Sequence, residues 1–271
     1  MRVSKLSEPK PIMLKIGGSV ITDKNGELAA RTQEMNRLAD EIQKANIQNL
    51  IIVHGGGSFG HPVAQKHAIK EGFKEENQKI GFAETHHVMT VLNGLFMDAL
   101  IWRNVPAVSI TPSSCIITKK GRIQHFEENP LKTLLKMGFL PVMYGDAVLD
   151  TELGFTILSG DQLVSYIATR FNAERIVIGV DVDGLYDADP KVEKTAKMFR
   201  RLTLAELKAL QNKIGEPTAC DVTGGMFGKI AELMPAIEHG ITAMIVNAAK
   251  PSYIYKALKE EKVEGTLIEK E

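Results

Sequence analysis

The chain has 271 residues, and its 33 basic and 33 acidic side chains cancel to a formal net charge of zero. That balance argues against a nucleic-acid or membrane-surface protein, which ordinarily carries a basic excess. Hydrophobic residues make up 44%, enough for a sizeable core, and only two cysteines occur, Cys115 and Cys220. They give neither a disulfide framework nor a metal-ligand spacing, so a reducing cytoplasm is the expected compartment. Met1–Lys10 has no apolar stretch to serve as a signal peptide, and no apolar run approaches the length of a membrane span.

Residues 11–16 (Pro-Ile-Met-Leu-Lys-Ile) predict a first strand, broken by Gly17-Gly18-Ser19. Lys15 therefore falls at the carboxyl end of a strand, the edge where open α/β sheets bind ligands. A lysine among apolar strand residues, followed by two glycines, reads as aimed at a ligand rather than as a solvated charge. Lys24 follows nine positions later. Apolar Met35, Leu38, Ala39 and Ile42 recur at helical spacing and predict an amphipathic helix over residues 31–45.

The run Leu50-Ile51-Ile52-Val53 predicts a buried strand, and His54-Gly55-Gly56-Gly57-Ser58-Phe59-Gly60-His61-Pro62 follows it. Four glycines in six positions strip side chains from a turn and let several N–H groups approach one ligand. A concave set of backbone donors at a strand end suits an anion, most often a phosphate. A flexible surface turn would not need the buried strand before it. Although Gly56-x-Ser58-x-Gly60 fits the letters of a hydrolase elbow, its context of consecutive glycines does not fit that chemistry.

Residues 63–72 predict a short helix ended by glycine, and 84–103 a longer one with Val88, Val91, Leu92, Leu95, Phe96 and Ala99 on one stripe. That stripe is core, part of it free to line an apolar pocket. His86 and His87 are adjacent and face different ways, a poor metal pair. Strands are expected at 106–110 and 139–143, hairpins at 115–125 and 145–158, and a helix near 131–137. Ser159-Gly160-Asp161 opens a helix to about Phe171, where Asp161 is either an N-cap or a carboxylate orienting lysines.

Another strand, 175–180, ends in the acidic turn 181–190. Its spacing lacks the glutamate that closes an EF-hand loop; the turn is either plain exposed surface or one wall of a purine site. A helix is expected over 202–210. The cluster Asp221-Val222-Thr223-Gly224-Gly225-Met226-Phe227-Gly228-Lys229 leads into a helix through His239, with a strand at 243–247 and a helix at 253–259. It is not a P-loop: Thr223 stands at the first glycine position and Ile230 where Ser or Thr belongs. The alternation of elements predicts one α/β unit with a mainly parallel sheet.

Glycine turns and dispersed lysines suit phosphoryl transfer, which needs positive charge and N–H donors rather than covalent help. Residues 14–19, 54–57, 159–161 and 223–226 with Lys229 resemble the amino acid kinase superfamily, over about residues 12–250. The Ser58–Pro62 extension and the Lys15/Lys24 pair resemble its isopentenyl phosphate kinase family. That resemblance implies a three-layer αβα sandwich in one domain, with a substrate part at about 11–172 and a nucleotide part at about 173–271. It implies ATP-dependent phosphorylation of isopentenyl phosphate in the alternative mevalonate pathway, with Mg²⁺ carried on the nucleotide, and a homodimer.

Residue by residue, the resemblance implies that Lys15, Gly17, Gly18 and Ser19 hold ATP phosphates while Lys24 stabilises the transferred group. Gly56, Gly57, Ser58, Gly60 and His61, with Gly160, would hold the substrate phosphate, Gly57 also touching ATP. Asp161 would orient the lysines, and Asp181, Gly184, Tyr186, Asp187, Gly225 and Lys229 would line the nucleotide site. The rivals are a kinase resembling the fosfomycin-phosphorylating enzymes, which share the histidine, and a nucleotide-binding protein without turnover. Acetylglutamate, aspartate and uridylate kinases lack the Ser58–Pro62 extension.

Overall fold

The computed structural model describes residues 10–24, 26–188, 193–214 and 226–271. Its centre is an eight-stranded sheet in the order Arg201–Thr203, Gly265–Glu269, Thr242–Asn247, Arg175–Val180, Ile12–Ile16, Leu50–His54, Leu140–Tyr144, Ala107–Ser109. Every neighbouring pair is parallel except Thr242–Asn247 with Gly265–Glu269. Parallel strands need helical crossovers, and these cover both faces, so the strands read as unbroken apolar runs rather than alternating ones.

Alternation within a strand decides which layer each side chain joins. Leu14 and Ile16 pack with Leu38 and Ile42 of the Thr32–Ala45 helix and with Leu92 and Phe96 of the Gln78–Ile101 helix. Met13 points the other way, onto Leu163, Val164 and Ile167 of the Gly160–Arg170 helix. Lys15 has the parity of Met13, and this register carries its ammonium to the helix that begins at Gly160. The αβα layering anticipated from the sequence is the one observed.

A smaller four-stranded sheet stands beside the first, built from the two anticipated hairpins: Ile116–Lys119 with Arg122–Phe126, and Asp146–Asp150 with Gly154–Leu158. Asp150 knits them together. Its carboxylate accepts from the Lys120, Gly121, Glu152 and Leu153 amides and from the Thr118 hydroxyl.

Several boundaries differ from those expected, each for a local reason. The helix expected at 63–72 runs from Gly57 to Lys66, with Pro62 inside it, and a separate turn of 3₁₀ helix covers Ile69–Glu71. Buried Phe59 anchors its first turn, which is why it begins inside the glycine loop. The long helix begins at Gln78, where the Gln78 side-chain oxygen accepts from the Lys74 and Glu75 amides. Gly81 is needed within it because a Cβ would lie 2.3 Å from the His67 side chain. Ser159, not Asp161, is the N-cap of the Gly160–Arg170 helix; its hydroxyl accepts from the Gln162 amide. The helix expected from 202 starts at Leu204, after the short strand Arg201–Thr203. The one expected through His239 is two helices, Met226–Ala231 and Met234–Glu238, with Pro235 in the first turn of the second. Among the described residues no helix is long and apolar enough to cross a membrane.

Candidate active site

Four strand ends meet at one place. Gly17 N–H donates to the Gly179 carbonyl, Gly55 N–H to Ile16, and Gly145 N–H to His54. The Gly17-Gly18 turn and the 55–57 loop are pressed together so closely that a Cβ on Gly18 would lie 2.1 Å from the Gly57 nitrogen. Gly57 itself has φ +49°, and a Cβ there would sit 2.0 Å from Thr22 Oγ1. Only glycine is tolerated at both positions. Thr22, which the sequence reading passed over, closes the junction. Its hydroxyl donates to the Gly18 carbonyl and accepts from the Ser58 amide.

Lys15 is buried, and its Nζ lies 2.7 Å from the Asp161 carboxylate. Asp161 is thus paired with Lys15 and is not the N-cap. Lys24 is held differently: its exposed ammonium lies 2.9 Å from Asp181, whose other carboxylate oxygen accepts from the Ser19 hydroxyl. His61 sits inside the Gly57–Lys66 helix with solvent access at the cleft mouth, yet crowded by protein atoms. That desolvation, followed by the Lys229 charge, holds its pKa below the ordinary value against the pull of Asp161. Lys229 is open to solvent on one side, and desolvation followed by Lys15 lowers its pKa too.

A cleft with about 600 Å³ of empty space, part of it open to solvent, runs between these groups. Lys15, Gly56, His61, Gly160, Asp161 and Lys229 are among the groups that line it. Ala64, Met89, Ile157 and Leu158 give it apolar wall, and Thr85 and Asp146 line it as well. Met89 lies against the loop, where a Cβ on Gly56 or Gly60 would come 2.8 or 2.7 Å from its sulfur. A second cleft shares Gly18, His61 and Lys229 with the first and extends past Ser19, Lys24 and Ser58. Among the described residues Ser58 Oγ is buried without a hydrogen-bond partner, a histidine included.

The remaining expected residues are more dispersed. Gly184, Tyr186 and Asp187 lie on the turn after Arg175–Val180, outside the walls of both clefts. Gly184 has no room for a Cβ against Thr266, and Asp187 exchanges hydrogen bonds with Lys197. Nearby Asp183 accepts from Asn247 and pairs with Lys250 at 2.5 Å. Gly225 lies outside the described residues.

Sequence reasoning missed Ala64, Thr85, Asp146 and Ile157 as lining residues, and no linear signal joins them. Asp146 is buried, with the His86 ring nitrogen 3.1 Å from it. Burial raises the Asp146 pKa, and His86 opposes that rise.

A sequence profile of the amino acid kinase family matches residues 10–247. The isopentenyl phosphate kinase of Methanothermobacter thermautotrophicus is 41% identical over 95% of this chain and 98% of its own length. That of Methanocaldococcus jannaschii is 37% identical over 95% of this chain and 98% of its own. This chain belongs to the amino acid kinase family, among the isopentenyl phosphate kinases. A solved isopentenyl phosphate kinase structure superposes with a TM-score of 0.84 at 39% identity, covering 95% of this chain and 99% of the other. A UMP kinase from Ureaplasma parvum, at 18% identity and a TM-score of 0.66, shares the fold.

Proposed function

We propose that the chain transfers the γ-phosphoryl group of ATP to isopentenyl phosphate, giving isopentenyl diphosphate and ADP. One observation carries this reading. A single cleft is lined by ammonium groups and glycine amides and also by the apolar side chains of Ala64, Met89, Ile157 and Leu158, with Thr85 and Asp146 among its further polar groups. A phosphate monoester with a short branched hydrocarbon tail matches both kinds of wall.

The acceptor is a phosphate oxygen, already ionised near neutral pH, so the reaction needs no strong base. It needs two anions held in line and the charge on the transferred group neutralised. The amides of Gly56, Gly57 and Gly160, with the His61 ring N–H, hold the acceptor phosphate. Lys15, fixed by Asp161, and the Gly17–Ser19 turn hold the ATP phosphates. Lys229 reaches the transferred group from the shared part of the two clefts and Lys24 from the second cleft, and Mg²⁺ arrives on the nucleotide. Ser19, hydrogen-bonded to Asp181, would face the nucleotide side, with Gly184, Tyr186 and Asp187 on the same turn as Asp181, and Gly225 is read as a nucleotide residue too. In this reading residues 11–172 supply the acceptor half and 173–271 the nucleotide half, the protein is cytoplasmic, and it works as a homodimer.

A coupled ADP-release assay tests the proposal. ADP should form with ATP and isopentenyl phosphate together, far faster than with ATP alone or with fosfomycin as acceptor. Faster release with fosfomycin would move the chain to the rival activity, and no release with any acceptor would make it a nucleotide-binding protein.

A further inference from the structure

His54 closes the Leu50–His54 strand just before the glycine loop and is fully buried. Its ring stacks on Tyr144 with centroids 5.4 Å apart and meets Phe96 edge-on at 5.9 Å, so its plane is fixed. Nδ1 lies 3.2 Å from the Gly55 carbonyl oxygen, and Nε2 lies 3.2 Å from Asn93 Oδ1, the atom that a half-turn of the amide exchanges with Nδ2. Asn93 in turn reaches the Ser109 hydroxyl at 2.7 Å.

A carbonyl oxygen can only accept, so the hydrogen between the ring and Gly55 must sit on Nδ1. Desolvation lowers the ring's pKa and favours the neutral form, in which Nε2 is bare and in need of a donor. Asn93 supplies it by turning its NH₂ to the ring and its oxygen to Ser109, whose hydroxyl then donates. Rotating the amide by half a turn leaves the heavy-atom positions unchanged. The opposite tautomer would set a ring lone pair against the Gly55 oxygen in apolar surroundings, an unmade bond at both atoms.

We propose that His54, held as its Nδ1–H tautomer by Asn93 and Ser109, positions the Gly55–Gly56 peptide so that the Gly56 N–H faces the acceptor phosphate. The C=O and N–H of a trans peptide point in opposite directions. Fixing the Gly55 oxygen on the ring therefore turns the Gly56 N–H away from it. Gly55 N–H is fixed on the other side, 2.9 Å from the Ile16 oxygen. Both glycines line the cleft, and the Gly56 N–H meets no acceptor among the described residues. The proposal rests on reading Gly56 as a phosphate donor, and it gives the first histidine of the loop a task distinct from that of His61.

Two measurements test it. Nitrogen-15 NMR of the wild-type protein should show His54 neutral with its hydrogen on Nδ1; an Nε2–H tautomer or an imidazolium would overturn the proposal without any variant. Kinetics of His54→Asn and His54→Gln supply the second, because an Asn amide reaches the Nδ1 position and a Gln amide the Nε2 position. His54→Gln should raise the KM for isopentenyl phosphate roughly 10- to 100-fold, the value of one hydrogen bond to a charged group. Its KM for ATP should stay within about two-fold, and His54→Asn should recover most of the acceptor affinity. Equal loss in both variants, or equal rises in both KM values, would make His54 merely structural. Inorganic phosphate affinity of the same variants separates this result from the proposed function. If the wild type binds phosphate but does not phosphorylate isopentenyl phosphate, the order wild type, Asn, Gln in phosphate affinity still upholds the positioning role, and a flat order ends it.

Discussion

Lys24 is exposed and paired with Asp181, whereas Lys15 is buried and paired with Asp161. A cation that waits on a solvent-facing partner can leave it when charge develops on the transferred phosphoryl group. On the proposed reading its contribution therefore belongs to the transition state. Lys24→Ala should lower kcat by roughly 10²–10³-fold, as for loss of one preorganised charge donor, with far smaller changes in KM. A large rise in KM at normal kcat would assign Lys24 to ground-state binding.

His61 gives a second test at this scale. Because desolvation and Lys229 lower its pKa from the ordinary 6.5, the ring is neutral at and above neutral pH and carries one N–H to donate. Protonation sets in only on acidification, so His61 should leave no inflection in the rate between pH 7 and 9. His61→Ala should raise the acceptor KM and lower kcat, and Asn or Gln should restore part of both through a retained donor. Should Asn and Gln be as inactive as Ala while the wild-type rate follows one ionisation near neutrality, proton transfer is the better account.

The Gln78–Ile101 helix shows how one element serves two purposes within a single turn. Met89 lines the cleft, whereas Leu92 is sealed in the core with Leu14, Ile16 and Phe96. Met89→Ala should therefore raise the KM for isopentenyl phosphate. Leu92→Ala should cost about 2–5 kcal/mol of stability and leave that KM unchanged. Val88, which shares the apolar stripe, packs on the core and does not line the cleft. Periodicity identified the stripe but could not divide it, because wall and core positions repeat with the same period.

Asp150 plays the corresponding part in the small sheet. Burial favours its neutral form, but the Gly121, Leu153 and Glu152 amides and the Thr118 hydroxyl outweigh this and hold its pKa well below the usual carboxylate range. A folded-state pKa below the unfolded value of about 3.9 stabilises the fold above that pH, and the gain is lost as pH falls. Asp150→Asn should lower the thermal midpoint at pH 7, and the gap between variant and wild type should narrow on acidification below about pH 4. A constant gap would mean that the ionised carboxylate is not what holds the two turns.

Across the whole molecule, legibility in the sequence followed the range of the interaction. The parallel sheet was readable because strands covered on both faces show as unbroken apolar runs, and Arg175–Val180 was placed to the residue. Lys15 and the glycine loop were readable because strand ends and consecutive glycines are local signals. Thr22 between two loops, Asp181 on Lys24, and the part of Ala64 and Ile157 in the apolar wall beside Met89 were not. These depend on contacts between segments far apart in the chain, which no spacing encodes. The short strands Leu185–Tyr186 and Met198–Phe199 were also missed, each only two residues long and stabilised by the other.

The central claim is that this fold brings two phosphates together in one cleft and moves a phosphoryl group between them. Phosphorus-31 NMR of wild-type protein with MgATP and isopentenyl phosphate follows that transfer directly. The account predicts that the monoester resonance gives way to the two coupled resonances of a diphosphate ester, in step with ADP and without inorganic phosphate. An unchanged monoester resonance, or ATP consumed to ADP and inorganic phosphate, would contradict it.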